Sequence, residues 1–193
     1  MAKLLSKGFN NAVYALSSGE FSSPEKGEWV GKLFREEFSY PEWELRALKA
    51  MNKINSLMVK GLKIVECKKG DLLIMERLYA LQPRAIDKEQ RLIMLEEFLQ
   101  QLRELHASGW AHADVKRPSH CCKGDGDQWN NIIPTADGIR LIDAGSAINS
   151  GDPMFSQEAQ KDLADFCEFA KWFVGDVIPN KEMIPLLKKW MGL

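Results

Sequence analysis

The hydrophobic rhythm of the chain changes near its middle. Up to about residue 80, short apolar runs are broken by turn residues. KLLSK and AVYAL read as paired strands with GFNNA as their turn, SSGEFSSPEKGE as a connector, and EWVGKLF as a half-buried strand alternating around a lysine. PEWELRALKAMNKI interrupts them as a helix: Pro41 suits its first turn, and Trp43, Ala47, Ala50 and Ile54 follow helical spacing, widened by Leu48 and Met51. LMVKGLKIVECKKGDLLIMERL then reads as a hairpin turned at Lys68–Asp71. Beyond it, KEQRLIMLEEFLQQLRELHASG carries the strongest helical pattern. Leu92, Leu95, Leu99, Leu102 and His106 form one face with Phe98 and Leu105, and Gly109 is a natural stop. A loop comes next, then two short strands (NIIPT and IRLID, turned at 136–138), a helix near QKDLADFCEFAKWFV, and an amphipathic segment, EMIPLLKKWMGL.

This order predicts an α+β fold, with a strand-rich part holding one helix followed by a mainly helical part with a small hairpin. The boundary falls near Tyr79–Asp87, and a cleft between the parts is the natural ligand position. The 193 residues suit a single domain of two closely joined parts.

Composition narrows the function classes. Hydrophobic residues make up 45% and charged residues 27%, as in globular chains. A net charge of −1 gives no general case for nucleic acid or an anionic membrane as partner. No window approaches ~18 uninterrupted apolar residues, so no membrane span is expected. The N-terminal stretch lacks the pattern of a cleavable signal peptide. Cys67, Cys121, Cys122 and Cys167 suggest neither a disulfide framework nor a CxxC metal site. The expected location is the cytoplasm, or outside it after export that uses no cleavable signal, as for a host-delivered effector.

The chemistry concentrates in HADVK at 112–116 and NNIIPTADGIRLIDAG at 130–145. A histidine, an aspartate two residues later and a lysine two beyond that come after a long helix. An asparagine opens the next hairpin, and AspAlaGly closes it. Phosphoryl transfer uses such side chains, because charge spread over non-bridging oxygens calls for metal ions, cations and an aligned nucleophile.

The ordered set resembles the eukaryotic-like protein kinase superfamily, in a minimal and divergent form of a bacterial type. It covers roughly Lys3 to Gly175. The resemblance implies a two-lobed fold, with a small strand-rich N-lobe (about 1–78), a hinge (about 76–86) and a truncated helical C-lobe (about 87–193). It implies Asp114 as the residue that orients the substrate hydroxyl and Lys116 as the cation at the transferred phosphate. Asp143 and Asn131 would hold Mg2+, with Asn130 or Ser119 as alternatives to Asn131. Lys32, in ValGlyLys, matches the strand lysine that meets ATP phosphates, and Glu44 the helix glutamate that holds it. Gly8, Val13 and Val30 match positions around the nucleotide, Met75 the gatekeeper, and Glu76 to Leu78 the backbone that meets adenine. His112 and Asp162 match structural supports beneath the catalytic loop.

An ATP- and Mg2+-dependent kinase with a hydroxyl-bearing acceptor is the activity that the resemblance implies. Lys116 points to Ser or Thr in proteins. The short C-terminal part keeps a small-molecule or saccharide acceptor open. The altered phosphate loop keeps open a weakly catalytic pseudokinase serving as an interaction module. Oligomeric state is not indicated.

Four departures from the family pattern stand out. Ser6 and Asn11 occupy two of three glycine positions in the phosphate loop. The sequence RPSHCCKGDGDQWN separates Lys116 from Asn131, where the family has about four residues between its aspartate and asparagine. HisAlaAsp lacks the usual arginine, and DAG replaces DFG. No APE-like motif is present after Gly145. Bland readings suit some neighbours better. His120, Cys121 and Cys122 read as a loop tip rather than a zinc site, LysGlyAspGlyAsp at 123–127 is too short for an EF-hand loop, and the six tryptophans read as packing residues.

Overall fold

The computed structural model describes residues 3–7, 11–17, 27–34, 40–118, 122, 124 and 126–192. Gly8, Ser119, His120 and Cys121 therefore lie outside the described residues. The fold is α+β. Strands β1 (Lys3–Lys7), β2 (Asn11–Ala15), β3 (Trp29–Phe34), β4 (Gly61–Cys67) and β5 (Gly70–Glu76) form an antiparallel sheet in the order β1-β2-β3-β5-β4. Helix α1 (Pro41–Met51) lies in sequence between β3 and β4. After the sheet come α2 (Lys88–Ala107), β6 (Trp110–Ala111), the hairpin β7 (Ile132–Thr135) and β8 (Gly138–Leu141), β9 (Ile148–Asn149), α3 (Phe155–Val174) and α4 (Asn180–Met191).

The sheet register decides what faces the cleft. Directly opposed residues of an antiparallel pair share a face. Val13 pairs with Lys32, Val30 with Met75, and Lys32 with Leu73, so these five side chains form one patch. Contrary to the half-buried expectation, all six residues of β3 are buried. β3 is the middle strand, and the absent side chain of Gly31 makes room for Leu72, which a Cβ there would meet at 2.8 Å. Gly70 turns the β4–β5 hairpin at φ +122° and passes so close to the Phe34 carbonyl that a Cβ would sit 2.5 Å from it.

Local chemistry explains the helix ends. Pro41 opens α1, with Glu42 and Glu44 in the first turn, where acidic groups complement the helix dipole. Asp87 caps α2 by accepting a hydrogen bond from the Gln90 amide at 2.9 Å. Two details of the helical stripes differ from expectation. On α1 the buried face includes Glu44, while Trp43 and Ala50 are only half-buried. On α2 Arg91 is buried and Leu92 is half-buried. Arg91 is accommodated because the Ile86 and Phe173 carbonyls accept from its guanidinium at 2.9 Å each and Asp176 pairs with it.

One contiguous core runs under both parts of the chain. In its helical portion, Phe98 meets Phe166 at 5.5 Å and Phe169 at 6.0 Å, and Trp129 meets Phe169 at 5.5 Å, all edge to face. Trp129 lies near the end of the 117–130 stretch, which is thereby anchored in the core at that end. Another seam joins the parts: the Leu57 carbonyl accepts from the Leu141 amide at 2.7 Å, and the Leu141 carbonyl accepts from the Val59 amide at 2.8 Å. This seam fixes β8, and with it Asp143 two residues later, against the segment leading into β4. Among the described residues, no helix is long and apolar enough to cross a membrane.

Candidate functional site

Three residues far apart in sequence meet at the wall of a cleft of about 790 Å³, which Lys32 and Asp143 line and Glu44 does not. Lys32 donates from Nζ to both carboxylate oxygens of Glu44, at 2.9 and 2.7 Å, and to Asp143 Oδ1 at 2.9 Å. β3 supplies the lysine, the buried face of α1 the glutamate, and the turn after β8 the aspartate. Lys32 and Glu44 are nearly inaccessible, whereas the Asp143 side chain is 40% exposed. Asp143 is thus the member of the cluster open to a ligand.

The electrostatics reflect this geometry. Burial acts against the Lys32 ammonium, but Glu44 and Asp143 outweigh it and hold the amine above its ordinary value. Burial pushes the Glu44 carboxyl up; Lys32 opposes the rise and Asp143 adds to it. Burial works on Asp143 too, yet Lys32 holds this carboxyl below the usual aspartate value. The result is a charged lysine clamped between a sequestered carboxylate and an accessible one.

Asp114 is close enough to feel the charge of Asp143 but, like Glu44, is not part of the cleft lining. Burial pushes its carboxyl up, and the Asp143 charge adds to the shift. Asn131 ties it down, with Nδ2 donating to the Asp114 carbonyl at 2.7 Å and to Oδ2 at 3.1 Å. The loop is braced from below by Asp162, fully buried on α3. Asp162 accepts from the His112 amide at 2.8 Å and the Ala113 amide at 3.0 Å, and lies 3.2 Å from His106 Nε2. His112 donates from Nε2 to the Ile142 carbonyl at 2.9 Å and accepts at Nδ1 from the Asp114 amide at 3.3 Å, a tautomer assigned from these partners. It therefore ties the Asp114 loop to the Asp143 turn. Ala113 and Asp143 both have left-handed backbones, at φ 64° and 65°. Alanine is strained in that region, whereas aspartate tolerates it better.

Of the residues singled out from sequence, Val13, Val30, Lys32, Met75, Glu76, Leu78, Asn131 and Asp143 line the cleft. So does Asn130, but it is exposed, while Asn131 is buried against Asp114. At the strand exit, the Glu76 and Arg77 amides donate to the Lys60 and Glu28 carbonyls. Among the described residues the Leu78 amide has no such partner, which leaves it for a ligand. Lys116 departs from expectation: its ammonium pairs with Glu168 on α3 and lies 5.7 Å from the centre of the Trp129 ring, and the residue does not line the cleft. Arg117 lines it instead, a residue that no sequence motif singles out. The available signal is the adjacent Lys116–Arg117 pair, since either side chain could face inward.

The donor set can be tested against a metal ion. Among the described residues, no group of three or more His, Cys, Asp or Glu side chains is placed to form a protein-only cage. Asp143 is accessible, and both hydrogen bonds of the Asn131 side chain use Nδ2, leaving its amide oxygen uncommitted. One carboxylate and one amide oxygen suit Mg2+, which completes its shell with water and phosphate oxygens.

No family model matches the chain, and no curated protein matches it.

Proposed function

We propose that this chain is a two-lobed, protein-kinase-like phosphotransferase that uses ATP and Mg2+ and transfers the terminal phosphoryl group to a Ser or Thr hydroxyl of a protein. The observation that carries the proposal is the 2.9 Å ion pair between Lys32 and Asp143, 111 residues apart, in the lining of a cleft. A cation and an accessible carboxylate at that point suit a polyphosphate and its metal.

Each residue has a part in the proposed reaction. The apolar patch of Val13, Val30 and Met75 receives the base, and the Leu78 amide donates to it. Lys32, held by Glu44, meets the phosphates nearest the base. Asp143 and Asn131 hold Mg2+, which neutralises charge on the phosphate oxygens. Asp114 accepts the hydrogen bond of the attacking hydroxyl and orients it, and His112 and Asp162 keep that loop in place.

One observation favours a second reading, with a small hydroxyl compound as acceptor. Trp129, from the 117–130 stretch, and Trp172, from α3, line the same cleft with their ring centres 6.4 Å apart, an aromatic surface that suits a small ring compound.

Thermal denaturation with ATP and Mg2+ is the first test. The midpoint is expected to rise with ligand concentration, and Lys32→Ala and Asp143→Ala are each expected to lose that rise. A response kept in both variants would sink the assignment. Labelled ATP offered with generic proteins and, separately, with a metabolite panel then separates the two acceptors.

A further inference from the structure

Resting on the phosphotransferase reading, we propose that Arg117, rather than Lys116, is the cation that meets the terminal phosphate of the bound nucleotide. The two basic residues are neighbours, but their side chains have different surroundings. The Lys116 ammonium is engaged by Glu168 and lies over Trp129, outside the lining of the cleft. Arg117 lines the cleft together with Lys32, Asn131 and Asp143. Among the described residues its guanidinium makes no hydrogen bond or ion pair, although it is only partly exposed. A half-buried guanidinium without a protein partner has five N–H groups available, in a planar fork that matches a phosphate.

The backbone fixes the position of Arg117. Its amide donates to the Gln128 carbonyl at 2.9 Å, which ties the start of the 117–130 stretch to a point near its end. Pro118 comes next and disfavours helical backbone at Arg117. Arg117 and Lys32 thus line the same cleft as the accessible Asp143 carboxylate, a pair of cations suited to a polyanion. A guanidinium at this position discriminates a triphosphate from a diphosphate, because only the triphosphate reaches it.

Affinities of ATP and ADP, each with Mg2+, measured by calorimetry on the full chain, test this directly. Arg117→Gln is expected to weaken ATP binding roughly tenfold, the scale of a charge-assisted hydrogen bond, while ADP binding changes less than about twofold. Arg117→Lys is expected to recover part of the loss, and Lys116→Gln to leave the ratio of the two affinities as it was. The melting point without ligand should hold in Arg117→Gln, since no side-chain hydrogen bond or ion pair among the described residues is removed. An unchanged ATP-to-ADP ratio in Arg117→Gln, or its collapse in Lys116→Gln, would overturn the role of Arg117 and leave the nucleotide site standing. Failure of the unaltered chain to bind either nucleotide would overturn both.

Discussion

Replacing Lys32 with methionine separates two effects that the wild-type cluster combines. The substitution leaves Glu44 buried without its counter-ion, so it is expected to cost about 3 kcal/mol in urea denaturation at pH 7. Adding Glu44→Gln should return a large part of that loss, because the stranded charge is then gone. The pH dependence has a definite sign. Lys32 is held above its ordinary value of 10.5, so its stabilising contribution is complete below that pH and disappears as the pH rises through the higher folded value. Denaturation curves between pH 9 and about pH 12 should show this alkaline loss in the wild type and not in Lys32→Met. At the same scale lies the main limit of sequence reading. Lys32, Glu44 and Asp143 are legible because each sits in a patterned context: a strand centre, a helix first turn and a hairpin exit. The direction of Lys116 is not legible, because it depends on Glu168, 52 residues away on another helix. Nor is the burial of Arg91, whose partners are two backbone carbonyls and Asp176.

Among the elements, α3 does more than cover the core. Its Asp162 carboxylate holds the consecutive amides of His112 and Ala113, and Ala113 has a left-handed backbone. Asp162→Ala leaves those amides buried without an acceptor. We expect a loss of about 3 kcal/mol in stability and, for the proposed phosphotransferase, a fall in turnover larger than any change in ATP affinity, since the Asp114 loop is disturbed more than the Val13–Val30–Met75 patch. Kinetic constants for ATP beside a denaturation curve check both parts. The long helices and the sheet hairpins are legible from periodicity, as 3.6-residue and two-residue patterns spanning many positions. The β6–β9 pairing is not, because two-residue strands carry no period; Trp110 and Ala111 find Asn149 and Ile148 only through the path of the intervening chain. Helix α3 also starts at Phe155, earlier than QKDLADF suggests, because FSQEA adds a polar first turn without an apolar face.

For the whole molecule, Trp129 joins the 117–130 stretch to the rest. It packs edge to face on Phe169, and Phe169 packs on Phe98 of α2. Trp129→Ala is therefore expected to destabilise the entire chain by about 3–5 kcal/mol, in one transition tracked equally by far-UV and near-UV circular dichroism. A local role would instead leave the midpoint unchanged and alter only the near-UV signal. The two-part layout with a cleft is visible in the sequence from the switch of rhythm near residue 80. The packing of the insertion is not, since RPSHCCKGDGDQWN has the composition of an exposed loop apart from its one tryptophan.

The Arg117–Gln128 hydrogen bond gives that segment a closed neck. A neck of this kind decouples length from position: residues added or removed between the two anchors need not move Asp114 on one side or Asn131 on the other. The stretch is thus a natural graft site, where an affinity tag or a reporter peptide could be carried next to the cleft without re-engineering the scaffold around it.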